Sequence, residues 1–480
     1  MKSFIGRALQ LKQLSALTKK PTASFVVING RRRIGKSRLV EEFGRDFTHF
    51  YRFSGLPPDQ HTTAAHQLQE FSRQLSRAFN TANARYDDWS DALWAVAERV
   101  QQGKVLLLFD EISWMGSHDP TFLGKIKNVW DTQLKNNPKL IFVVCGSASS
   151  WIEKNILSST GFVGRISLNM TLDALLLSEC NQFWPEHISA YEKFKVLSIT
   201  GGVPKYLEEI LPGESAEHNI KRLCFTRGGF LTQEFEHVFS DIFLRQSHYY
   251  RQIVVALCDG AKEVSEIAAT LNIKLHGRIR EYLQELMLAG FVVRDHAWHL
   301  KTGEDTSSSR YRLSDNYMRF YLRYIEKNQS KIQRNAFAMK SLHSLPQWSV
   351  MMGLQFENLV LNNRMAIHQQ LGITPEDVVA DNPFFQKKTN RQRGCQIDYM
   401  VQTRFDTLYV CEIKCSRHLV GVDVIAEVEE KIMRLTRPRG FSCRPVLIHV
   451  NGVTEALIDT QYFAHVIDFS QFLEDEEGVA

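Results

Sequence analysis

Two runs of residues in this chain have the types and spacing to handle phosphate. Gly30-Arg31-Arg32-Arg33-Ile34-Gly35-Lys36-Ser37 fits the pattern G-x-x-x-x-G-K-[ST]. Its glycines let backbone N–H groups curl around a polyphosphate, and a helix opening at Lys36 adds positive potential there. Lys36 would reach the β- and γ-phosphates of ATP and Ser37 would ligate Mg²⁺, with Arg38 at the flank of the loop. Val105-Leu106-Leu107-Leu108-Phe109-Asp110-Glu111 supplies the complementary acids. Asp110 would hold Mg²⁺ through water, and Glu111 would polarise the water that attacks. Any strand can end in an acid, so this run takes its meaning from the loop. A third apolar run ends at Gly146-Ser147, where Ser147 either senses the γ-phosphate or closes a turn. Arg165 is either a charge donor to the transition state, in its own chain or a neighbour's, or a surface arginine.

A second constellation lies towards the C-terminus. Gln396–Gln402 and Leu408–Lys414 each alternate apolar and polar residues, as strands do. A hairpin turning at Phe405 sets Asp398 opposite Glu412 and Gln396 opposite Lys414, with Cβ atoms about 5 Å apart. Lys414 then shares a face with Glu412. Two carboxylates so placed suit one Mg²⁺ that keeps several waters, with Lys414 positioning a nucleophile against a phosphodiester. A solvated, salt-bridged hairpin is the plainer reading of the same residues. The basic run Lys387, Lys388, Arg391 and Arg393 either follows a nucleic-acid backbone or is simply solvated.

Positioning the loop and its acids takes alternating strands and helices. Phe25–Asn29, His49–Phe53, Val105–Phe109 and Leu140–Cys145 are continuous apolar or aromatic runs, as expected of parallel strands covered on both faces. Helical patterns at Lys36–Phe47, Thr63–Phe79 and Ser90–Gln101 separate them. The fold class is α/β. A P-loop core over 1–170 leads into a helical lid over 171–245, a winged helix-turn-helix over 246–326 and a helical linker over 327–350. A C-terminal α/β domain fills 351–480. The winged helix rests on helices at Ile253–Leu257, Val264–Leu271 and Arg278–Leu288, then strands at Gly290–Arg294 and Ser309–Leu313. Lys274, His276, Arg278 and Arg280 would meet DNA unless the module packs internally. In the C-terminal domain a helix at Gly353–Met365 precedes the hairpin. A helix at Val422–Leu435 and a strand at Pro445–Val450 follow it.

Composition sets outer limits. At 480 residues, 44% hydrophobic and 23% charged, the chain is globular and multidomain. A net charge of +5 is mild and neither requires nor excludes nucleic acid. No apolar run approaches the roughly 18 residues of a membrane span, and the first residues lack a signal-peptide stretch. Eight cysteines without a CxxC pair fit neither a disulfide framework nor a zinc site. Reduced thiols in a cytoplasmic protein are the expectation.

The loop, the Asp110-Glu111 run and the opening Phe4-Ile5-Gly6-Arg7 together resemble the archaeal-type ATPase family of the AAA+/STAND branch. Gly164-Arg165, Gly201-Gly202-Val203-Pro204-Lys205-Tyr206, Tyr311-Arg312-Leu313-Ser314-Asp315 and Arg319-Phe320-Tyr321 match it as well. The resemblance implies that Gly6-Arg7 and the Gly-Val-Pro stretch face the adenine. It also implies that the lid reports nucleotide state to the winged helix. Asp398 followed by Glu412-Ile413-Lys414 resembles the PD-(D/E)XK nuclease motif. Glu357 matches that family's first-helix acid, which would make it a metal ligand beside Asp398 and Glu412. The expected function is ATP binding and hydrolysis coupled to a metal-dependent DNA-binding or DNA-cleaving domain. The rival is a STAND-type switch that binds a protein partner through a non-catalytic scaffold. A homo-oligomer is compatible with both.

Overall fold

The computed structural model describes residues 4–57, 61–82, 84–147, 149–242, 247–273, 277–390 and 392–474. Lys274, His276 and Arg391 lie outside the described residues. The chain forms two compact units. One comprises Met1–Leu175, Glu236–Ser247 and Gln284–Gly290; the other comprises Leu176–Phe235, His248–Leu283 and Phe291–Ala480. No helix among the described residues is long and apolar enough to cross a membrane.

In the first unit, β1 (Ser24–Gly30), β2 (His49–Ser54), β3 (Val105–Asp110), β4 (Leu140–Gly146) and β5 (Ile166–Leu172) run parallel in the order β2-β3-β4-β1-β5. Side chains alternate between the two faces, so each central strand feeds two cores. Phe25 and Val27 join Leu107, Phe109 and Phe142 in one core. Val26 and Ile28 join Leu106, Leu108 and Val143 in the other. Burial on both faces is why these runs are continuously apolar. Strand β5 was not anticipated: Ile166-Ser167-Leu168-Asn169-Met170-Thr171-Leu172 mixes polar residues because it lies at the sheet edge and is only partly buried. Parallel pairing brings Gly30, Asp110 and Gly146, each the last residue of its strand, to one end of the sheet. Two caps fix helices behind it. Thr63 accepts from His66 N–H and Asp88 from Ser90 N–H, starting Ala64–Ala78 and Trp89–Arg99.

The second unit contains short helices over 177–224, the wing strands β6 (Val292–Trp298) and β7 (Asp305–Leu313), and a C-terminal sheet. That sheet holds β8 (Val378–Gln386), β9 (Cys395–Thr403), β10 (Thr407–Lys414), β11 (Ser442–His449) and β12 (His465–Asp468), ordered β12-β11-β10-β9-β8. The β9–β10 hairpin takes the expected register, Leu408 opposite Gln402 through Cys411 opposite Tyr399. β8 and β12 were not anticipated. Asp381, Asn382 and Pro383 break the alternation of β8, where its register shifts, and β12 is four residues long.

The wing is longer than expected and is stitched to the C-terminal sheet. Trp298 stacks edge-on against Phe384 (centroids 5.2 Å apart) and donates its indole N–H to Gln402 Oε1 at 2.7 Å. Gln402 in turn donates to the Leu300 carbonyl. The Tyr311–Asp315 motif and Arg319 form a second seam. Arg312 makes a two-point ion pair with Asp295 and also donates to Asn358. Arg319 donates to Gln355 Oε1 at 2.8 Å and to the Leu313 carbonyl at 2.7 Å. Gln355 and Asn358 sit on the helix Trp348–Asn362, the helix that carries Glu357. The motif therefore fixes this helix through buried, hydrogen-bonded polar groups.

Candidate functional site

The phosphate loop leaves β1 at Gly30 and enters the helix Lys36–Phe43. Gly30 has φ 140°, and a Cβ there would lie 2.5 Å from the Leu172 carbonyl oxygen of β5, so glycine is required. Arg33 (φ 70°) and Gly35 (φ 94°) also take left-handed backbone, curling the loop before the helix. Lys36 Nζ is buried and donates to the Gly30 and Arg31 carbonyls at 2.9 and 3.1 Å. Burial holds its pKa below the usual lysine value, with Glu111 and Asp110 opposing. Arg7 braces the loop from outside by donating to the Ile34 and Asp173 carbonyls.

The acids converge on the same place. Ser37 Oγ donates to Asp110 Oδ2 at 2.8 Å. Cys145 Sγ donates to the other carboxylate oxygen at 2.9 Å, and burial, reinforced by Asp110, pushes its thiol far up. Glu111 follows on left-handed backbone (φ 52°), a strained setting for a residue with a Cβ. Its carboxylate accepts from Ser147 N–H at 3.1 Å and from Ser147 Oγ at 3.0 Å. A hydroxyl and a carboxylate already in contact beside a helix N-terminus form an oxygen donor set that fits Mg²⁺.

In the second unit, the ladder between β9 and β10 ends at Tyr399 and Cys411. One residue further on, Asp398 Oδ2 accepts from Ile413 N–H at 3.1 Å. Asp398 and Glu412 both bond Lys431 Nζ, at 3.3 and 2.5 Å. Lys414 Nζ bridges Glu412 (3.0 Å) and Glu427 (2.6 Å). Glu427 and Lys431 are one turn apart on the helix Asp423–Arg434, so this helix delivers both to the hairpin. Burial, reinforced by Glu412, raises the Asp398 carboxyl, while Lys431 opposes the rise. Carboxylates that share one ammonium can share a metal cation, but here Lys431 holds that place. Among the described residues, no group of three or more His, Cys, Asp or Glu is arranged to hold a metal ion.

Glu357 neighbours Asp398 electrostatically. Burial, reinforced by Asp398, raises its carboxyl to about 7. Because this lies above the roughly 4.3 of an unfolded glutamate, the contribution to stability is full below that value and is lost as pH climbs through 7. Glu357→Gln should therefore raise the Tm at about pH 8 and change it little at about pH 4. Thermal melts at the two pH values check this, and a Tm lowered at the higher pH would contradict it.

With this geometry in hand, comparison with known proteins shows what the N-terminal part of the chain is similar to. Residues 4–210 match a family model described as an ATPase domain predominantly from Archaea. An uncharacterised protein of Methanocaldococcus jannaschii is 25% identical over 359 residues, covering 74% of this chain and 76% of that protein. Among solved structures, the Walker-type ATPase of Pyrococcus abyssi is 16% identical with a TM-score of 0.48, covering 67% of this chain and 96% of that one. The ORC2 protein of Aeropyrum pernix, in ADPNP–ADP complexes, is 13% identical with a TM-score of 0.42, covering 70% and 97%. The family match stops at residue 210, before the wing and the C-terminal sheet.

Within the ATPase domain the structure brings Lys36, Ser37, Asp110, Glu111 and Ser147 together. The arginines of the loop are spread around it: Arg32 donates to the His237 carbonyl at 3.2 Å, and Arg38 pairs with Glu41 at 3.5 Å. Arg165 lies apart from them. It precedes β5, and Phe25 pairs with Ile166 whereas Gly30 pairs with Leu172. Arg165 thus lies at the opposite end of the sheet from the loop, about 20 Å away along the strand. It is held there by a two-point ion pair with Asp131, both bonds 2.8 Å. It does not reach its own chain's phosphate site. Arg165→Ala should leave ATP affinity unchanged in titration calorimetry, and a clear loss would contradict this placement.

Four functional neighbours were missed in the sequence. Arg52 on β2 pairs with Asp110 at 2.6 Å and Glu41 at 2.5 Å. Its signal was a single arginine inside the aromatic run His49–Phe53. Cys145 closes the apolar run of β4 and looked like core. Glu427 and Lys431 show only an ordinary helical spacing of four.

Proposed function

We propose that the ATPase domain binds ATP with Mg²⁺ and hydrolyses it, and that its nucleotide state controls a metal-dependent, DNA-acting C-terminal domain. The Ser37–Asp110 contact at the loop's helix carries the first half. Lys36 turns from the loop carbonyls to the β- and γ-phosphates, and the loop N–H groups bind phosphate oxygens. Ser37 and Asp110 would hold Mg²⁺, whose charge would offset that of the phosphates. Glu111 orients and deprotonates the attacking water, and Ser147 holds its carboxylate in line. Arg52 balances Asp110 and must yield when the metal enters.

For the C-terminal domain, the support is Asp398 and Glu412 converging on one cation position with Lys414 beside them. Asp398 and Glu412, with Glu357 near by, would have to give up Lys431 and rearrange before they could hold a divalent metal, and Lys414 would position the nucleophile. The ion-pair chain that runs from Asp398 through Lys431, Glu412 and Lys414 to Glu427 favours a second reading, a switch whose C-terminal domain binds a partner without cutting. Plasmid and linear DNA incubated with Mg²⁺ or Mn²⁺, with and without ATP, separate the two. Metal-dependent cutting, lost in Lys414→Ala and altered in Lys36→Ala, is the expected result. ATP turnover with no cutting of any DNA would favour the switch.

A further inference from the structure

A cavity of about 1050 Å³ opens in the second unit between the wing and the C-terminal sheet. Its walls come from β6, β7, β8, β9 and the helix Trp348–Asn362, and Glu357 and Asp398 lie in one wall. A cavity of that size can seat a short stretch of single strand whose bases have left their partners.

The lining suits one. Arg310, held by the Ala261 carbonyl and Glu266, lies over the Phe385 ring, 4.1 Å from its centroid, and both side chains line the cavity, an arginine–aromatic pair of the kind on which bases stack. Arg319, 1% exposed, lines the cavity with its Nε lacking any hydrogen-bond partner. A buried guanidinium N–H left unsatisfied is costly, and a ligand acceptor would remove that cost. Lys301 and Arg437 are exposed cations on the same lining. Flexible cations beside a stacking platform are how sequence-tolerant single-strand sites are built.

We propose that this cavity seats a single-stranded or extruded stretch of nucleic acid and presents its backbone to Glu357 and Asp398. The inference rests on the DNA-acting reading above and names its substrate class. The probes are a fluorescent single-stranded oligonucleotide, the same sequence as a blunt duplex, and a duplex with a single-stranded overhang. All are titrated in Ca²⁺, which offsets the acids without supporting cutting. The single strand and the overhang should bind at least about tenfold more tightly than the blunt duplex. Ala297→Trp, which fills the cavity, should remove that preference. The surface pair Lys301→Glu with Arg437→Glu should remove it too, with an unchanged melting temperature, should the tryptophan variant not fold. Equal binding of blunt duplex, or full single-strand affinity in the surface pair, would overturn the inference. If the single strand binds as expected but nothing is cut in Mg²⁺ or Mn²⁺, the cleavage reading fails and the cavity assignment stands. If duplex is cut equally well by the cavity variants, the cavity assignment fails and the cleavage reading stands.

Discussion

Lys36→Ala is expected to lower ATP affinity by about two to three orders of magnitude, because two or more charge-assisted bonds to phosphate vanish at roughly 1.5–3 kcal/mol each. The residue is buried, its ammonium spends its bonds on two loop carbonyls, and burial already depresses its pKa. A phosphate is a far better partner for that charge than a carbonyl. Glu111→Gln gives the contrasting outcome. The amide keeps the shape and can still accept from Ser147, so affinity should hold while turnover falls about 10²- to 10⁴-fold with loss of the base. Titration calorimetry and phosphate release report the two quantities separately. Binding of ATP by Lys36→Ala at the unaltered affinity would remove the physical basis of the nucleotide site.

The contrast between these two variants also shows which parts of the molecule were readable from sequence. The loop was readable because a polyphosphate must be met by consecutive backbone groups, so its residues are contiguous. The strand β3 with Asp110 and Glu111 was readable because burial on both faces demands an unbroken apolar run before the acids. The hairpin register was readable because a tight turn at Phe405 leaves one pairing that keeps both apolar faces together. What escaped notice depends on tertiary approach. Arg52 reaches Asp110 only because β2 lies beside β3, with Arg52 level with Leu108. Lys431 reaches two acids from a helix that by sequence alone is merely amphipathic. Arg165 was left open between a charge donor, in its own chain or a neighbour's, and a surface arginine, because only strand direction shows that it lies at the far end of the sheet from its own loop. The docking of the wing on the C-terminal sheet was not readable because Trp298 and Gln402 are far apart in the chain.

Lys431→Met is expected to strengthen Mn²⁺ binding at the C-terminal acids by at least about tenfold, and this variant separates the two readings of that domain. Asp398 and Glu412 now share one ammonium at 3.3 and 2.5 Å. Removing it leaves Asp398 without a cation and Glu412 with Lys414 alone, and losing a partner of a buried charge costs up to about 3–5 kcal/mol when nothing replaces it. A divalent cation supplies that charge, so part of this cost becomes metal affinity. The Glu357 carboxyl, raised to about 7 by burial beside Asp398, adds a third oxygen and a proton to release. Lys414→Met differs in kind. Lys414 pairs with Glu412 but also with Glu427, so its loss should leave Mn²⁺ affinity near that of the unaltered protein while cutting falls. Mn²⁺ titration followed by electron paramagnetic resonance reads the affinities without relying on cleavage. A scaffold whose acids serve only to pin the helix Asp423–Arg434 would show neither effect: Lys431→Met would lower the melting temperature and bind no Mn²⁺ at all.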